Sequence, residues 1–107
     1  MDQDAPGVSD AFATFQREAP RHAEAWMSAV MGLGAADALD EKTSHLVYVG
    51  VLAALRLVSG VPFHVKLAKQ AGASRDEVVS AILIGLPAAG NGVTQALPAA
   101  LAAYDEA

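Results

Sequence analysis

Apolar positions along this chain recur at helical spacing, with no stretch of strand-like alternation. After a polar and turn-forming start over residues 1–8, expected to be frayed, Ser9 is a cap for a short helix through about Glu18, with Phe12 and Phe15 on its buried side. Pro20 fits the first turn of a second helix to about Met31, with Trp26 and Val30 on one face, before the segment GLGAADALD breaks it. Asp40 caps a third helix, Glu41 to about Leu57, apolar nearly all round. Gly60 and Pro62 separate it from a fourth, Pro62–Gln70, which ends at Gly72. Ser74-Arg75-Asp76-Glu77 reads as a capping box before the run VVSAILIGL, the clearest helix start in the chain. That fifth helix should end around Pro87–Gly90, and a sixth should run from about Val93 to Tyr104, kinked or divided by Pro98. The pattern thus predicts an all-α single domain of about six helices over residues 9–107.

Composition adds a constraint on assembly. The chain has 107 residues, enough for one core, and 53% of them are hydrophobic although only one Trp, two Tyr and three Phe occur. The interior must therefore be built from Ala, Val and Leu, and so much apolar surface on a small domain predicts burial against other subunits. The longest apolar runs, Leu46–Leu55 and Val78–Gly90, fall short of the roughly 20 residues that span a bilayer, so no membrane helix is expected. An acidic N-terminus unlike a signal peptide points to a cytoplasmic protein. A net charge of −5 with seven scattered Lys and Arg offers no footprint for nucleic acid.

The absence of cysteine excludes disulfides, thiolate metal sites and any thiol nucleophile. His22, His45 and His64 fall on different helices, none in a paired ligand motif, so no metal is expected; the glycines match no phosphate-binding fingerprint, so neither is a cofactor. On the third helix, a rotation of about 100° per residue sets His45, Leu52 and Arg56 within about 20° of one line, with Tyr48 about 60° to the side. That stripe reads either as a functional face or as amphipathic side chains reaching water from the helix ends. His64 sits one turn into the fourth helix beside Leu67 and Ala68, with Lys66 and Lys69 turned away. It reads either as a core or interface histidine or as a proton carrier, since imidazole titrates near neutrality.

LDEKTSHLVYVGVLAAL, FHVKLAKQAGASRDEVVSAIL and GLPAAG together resemble the carboxymuconolactone decarboxylase and alkylhydroperoxidase D superfamily, from about Leu39 to Gly90. In its peroxidase-type members a Glu, a Cys-x-x-Cys pair and a His four residues after the second Cys relay protons to reactive thiols. Setting His64 on that histidine puts Leu57 and Gly60 at the cysteine positions and His45 at the glutamate. The resemblance therefore implies a cysteine-free member without thiol peroxidase chemistry. It further implies an alkylhydroperoxidase D-like fold whose helices pack between subunits as a homotrimer or homohexamer, with pockets near the subunit boundaries. On this reading His64 and His45 are catalytic, Arg56, Tyr48 and Phe63 bind substrate, and the reaction is a cofactor-free, lyase-type proton transfer on a small lactone or carboxylate. The alternative is a non-catalytic oligomeric scaffold that binds a ligand or a protein.

Overall fold

A computed structural model describes residues 9–107, so the frayed start expected over residues 1–8 lies outside the described residues. The described residues are all helical: α1 (Asp10–Glu18), α2 (Pro20–Ala36), α3 (Glu41–Ala54), α4 (Val61–Gln70), α5 (Arg75–Leu83), the single turn α6 (Leu86–Ala89) and α7 (Leu97–Glu106). Two 3-10 turns, Val58–Gly60 and Asn91–Ala96, join α3 to α4 and α6 to α7.

Helix starts follow their local chemistry. The Ser9 hydroxyl accepts from the Phe12 N–H at 3.2 Å, and an Asp40 carboxylate oxygen accepts from Thr43 at 2.7 Å. At α5 the capping box is complete: Glu77 N–H donates to Ser74 Oγ at 3.0 Å, and Ser74 N–H donates to Glu77 Oε1 at 2.8 Å. Such reciprocal bonds satisfy donors that the first helical turn otherwise leaves open. Lys42 of α3 reaches the same Glu77 at 3.1 Å, tying the two helices together.

The boundaries depart from expectation in four places. One is α5, which stops at Leu83 rather than around Pro87–Gly90 because the chain turns at Ile84 and Gly85 before the separate turn α6. Helix α2 continues through Gly32 and Gly34 to Ala36, past Met31, because neither glycine needs a special backbone there. It stops where Asp37 turns the chain, its carboxylate accepting from the Leu39 N–H at 3.0 Å and the Ser44 hydroxyl at 2.8 Å. Helix α3 ends at Ala54 rather than near Leu57: Leu57 N–H donates back to the Leu52 carbonyl at 2.9 Å and Arg56 N–H to Ala53 at 3.2 Å. This is the Schellman ending, with Arg56 in the left-handed position at φ 63°. Pro98 neither kinks nor divides a helix; it occupies the first turn of α7, where its missing N–H costs nothing, and residues 93–96 belong to the preceding 3-10 turn.

Helix α4 ends by the same device, with Gly72 at φ 101° and Ala73 N–H bonded to the Ala68 carbonyl at 2.9 Å. Helix α3 packs on α4 and α5, and α7 closes the other side of α4 and α5. Val49, Val61, Val65, Val78, Ile82 and Val93 are fully buried among Ala68, Ala96 and Ala100, the small-residue core that the composition requires. Gly50 lets α3 and α5 approach so closely that a Cβ there would lie 2.8 Å from the Ala81 carbonyl oxygen. Arg75 bridges to Asp105 at 2.9 and 3.1 Å, and Lys69 donates to the carbonyls of Tyr104 and Ala107 at the C-terminal end of α7. In contrast, α1 and α2 pack mainly on each other and form an arm that touches α3–α7 sparsely. Phe12 and Phe15 are only half-buried, with ring centroids 6.2 Å apart, because Ala13 rather than either ring is the fully covered residue of α1.

Candidate active site

The arm leans over the junction of α3 and α4 and encloses a cavity of about 320 Å³. Phe12, Trp26, Met27 and Val30 form its arm side. Opposite them, α3 supplies Tyr48 and Leu52, one turn apart, and the start of α4 supplies Phe63 and His64. Gly60 completes the rim in the turn before α4, and Ser9, whose hydroxyl is held by the α1 cap, completes it on the arm.

His64 and Tyr48 come together because α3 and α4 cross here. Their ring centroids are 4.4 Å apart with the planes tilted by 53°, and the Phe63 ring meets His64 edge-on at 5.3 Å. Among the described residues, neither the Tyr48 hydroxyl nor the His64 ring nitrogens makes a hydrogen bond, and both residues line the cavity. Burial holds the His64 imidazolium below its ordinary value of 6.5, and the charge of His45 pushes it further the same way. At neutral pH His64 is therefore an uncharged ring with one donor and one acceptor nitrogen.

His45 stands one turn before Tyr48 on α3 and is close enough to act on His64 through its charge, although it does not line the cavity. Arg56 is not part of this constellation. It lies beyond the end of α3, not on the helical stripe expected for it, and its guanidinium donates to the Ala54 carbonyl at 2.8 Å and the Ala89 carbonyl at 3.0 Å. The early helix end swings the side chain toward the α6 turn, where it lies over Gly92 so closely that any Cβ at position 92 would collide with it. The cavity's arm side went unread in the sequence as a binding wall, although the shared face of Trp26 and Val30 was visible in their spacing.

Other features carry less chemistry. A groove of about 580 Å³ between α3 and α5 is lined chiefly by Leu46, Val47, Gly50, Val51, Ala81 and Ile84, and its Glu77 is already bonded to Ser74 and Lys42. Among the described residues no three His, Asp or Glu side chains gather as a metal site, and no helix is long and apolar enough to cross a membrane. No curated protein and no solved structure matches the chain significantly. The model of the carboxymuconolactone decarboxylase family, however, matches residues 20–105, from the first residue of α2 almost to the end of α7. That span contains the Tyr48–His64 pair, most of the cavity wall and a backbone without a single cysteine, and over it the chain belongs to the carboxymuconolactone decarboxylase family.

Proposed function

We propose that this chain is a cofactor-independent enzyme of the lyase type, acting on a small lactone or carboxylate through proton transfer by His64. The observation that carries this reading is a half-buried imidazole, uncharged at neutral pH, on the wall of a cavity and beside the Tyr48 ring. When the C–C bond to a departing CO2 breaks, the electron pair passes to the adjoining carbonyl oxygen, to which the phenol hydroxyl donates a hydrogen bond. The imidazole carries the proton that the carbon takes up in place of CO2. His45 serves as the partner that tunes His64, and Phe63 as an apolar wall holding the imidazole's orientation. Arg56 has no part in this reading, because its guanidinium is engaged by carbonyls outside the cavity.

The same reading places the enzyme in a homotrimer or homohexamer in the cytoplasm. Support for assembly comes from the apolar groove of α3 and α5, where Val47, Val51 and Ile84 are exposed. Contiguous apolar surface of this kind is uncommon on a protein that stays single.

Turnover of lactones and 2-oxo acids by wild type and His64→Ala tests the mechanism. Loss of a general acid–base group lowers the rate by roughly 10²-fold or more, so H64A should be inactive while its helicity and mass stay unchanged. Equal turnover by the two proteins rejects the mechanism. A second reading, a ligand-binding scaffold without turnover, is favoured by the uncharged wall of the cavity. A ligand recovered chemically unaltered after prolonged incubation with the bound protein would establish that second reading.

A further inference from the structure

We infer that the cavity beside His64 selects an uncharged, flat, carbon-rich ring carrying one carbonyl or hydroxyl group, and discriminates against carboxylates. The inference rests on the reading that this cavity is the ligand site, and it names the class of ligand that the walls admit.

The walls are aromatic and aliphatic on both sides. Trp26, Phe12 and Val30 face the cavity from the arm, and Phe63 and Leu52 from the body. Flat rings gain from such walls through area and through offset or edge contacts with the aromatic faces. A volume of about 320 Å³ lies at the lower end of the roughly 300–1,000 Å³ of small-molecule sites, which suits one or two fused rings rather than a long chain.

The polar complement is equally restrictive. Tyr48 and His64 supply one phenol hydroxyl and one uncharged imidazole, and Ser9, whose oxygen accepts from the Phe12 N–H, adds one neutral O–H donor at the rim. One carbonyl or hydroxyl oxygen can be satisfied by the Tyr48–His64 pair. A carboxylate entering the same space gives up its water, and among the described residues no Lys or Arg lines the cavity to compensate it. Arg56, the residue expected to orient an anion, is turned away to the carbonyls of Ala54 and Ala89. The family's name denotes a carboxylated lactone, so this wall departs from what that name leads one to expect.

A matched pair of probes tests the inference by binding alone: phthalide, a neutral aromatic lactone, and 2-(hydroxymethyl)benzoate, its ring-opened carboxylate, at pH 7.5. Trp26 is the only tryptophan of the chain and lines the cavity, so its emission reports occupancy directly. Phthalide should bind at least tenfold more tightly than the carboxylate. Val30→Arg, at a position 40% exposed on the arm, supplies the missing cation and should narrow or invert that ratio. Equal or tighter binding of the carboxylate by wild type overturns the inference, as does silence of Trp26 toward both probes at millimolar concentration. A ratio unchanged by V30R overturns it too, because the probes then bind elsewhere. These outcomes are separable from the fate of the proton-transfer mechanism. A wild type that prefers the carboxylate yet loses turnover in H64A would discard the neutral ligand and retain His64 as proton carrier.

Discussion

Arg56 holds a left-handed backbone at the helix end where glycine is the usual occupant. That conformation costs a residue with a Cβ about 1 kcal/mol, and the two guanidinium bonds to Ala54 and Ala89 offset it. Removing the side chain but not the Cβ, as in Arg56→Ala, should therefore destabilise the fold by about 1–2 kcal/mol. Arg56→Gly should cost less, since it sheds the strain together with the bonds. Urea unfolding of the two variants checks the order; R56G less stable than R56A would contradict the account. At His64 the expected effect concerns protons. Its midpoint, followed by NMR, should lie below 6.5, and His45→Gln should move it upward by removing the neighbouring charge. A histidine with a depressed folded value takes up its proton more readily in the open chain. Acidification through 6.5 and below therefore favours unfolding, and the penalty disappears at higher pH. A midpoint insensitive to H45Q would separate the two rings functionally.

At the level of elements, the starts of helices were legible and some of the ends were not. Ser9, Pro20, Asp40 and Ser74 announce their helices because an N-cap is a local bond between residues three apart, or a proline whose missing donor is harmless. Gly72 announces the end of α4 for an equally local reason. The end of α3 gave no such sign, because Arg56 stands where a glycine would have marked it, and its compensating partner, Ala89, is 33 residues away. That one long-range bond is why Arg56 was expected beside His45 and Tyr48 and is found elsewhere. The Tyr48–His64 pair was half legible. Spacing placed Tyr48 on the face of α3, and the family pattern singled out His64. Only the crossing of α3 and α4 fixes the 4.4 Å between their rings. Trp26 and Val30 shared a face in the sequence, but nothing local says that the arm of α1 and α2 folds over that crossing.

For the molecule as a whole, the core accounts for only part of the apolar composition. Ile84, just past the end of α5, is 80% exposed, and Leu33, on the arm, is 71% exposed. If the α3–α5 groove is the contact between copies, Val51→Asp combined with Ile84→Glu should reduce the mass measured by light scattering to that of a single chain. The circular dichroism should not change, since neither side chain belongs to the core. A wild-type protein that is already single at micromolar concentration would show instead that this face stays in water.

Gly60, on the rim of the His64 cavity, has a further consequence. Its backbone lies in the ordinary right-handed region, and a Cβ there would meet the Leu52 methyls at 3.6 Å, an unforced contact. The position that the sequence resemblance sets against a cysteine of the peroxidase-type relatives thus has room for a side chain, and the chain carries no thiol. Gly60→Cys would create a solitary anchoring point at the mouth of the pocket. Libraries of disulfide-bearing fragments could then be captured there covalently and weighed by mass spectrometry, which lets the protein itself nominate the molecules that fit beside His64.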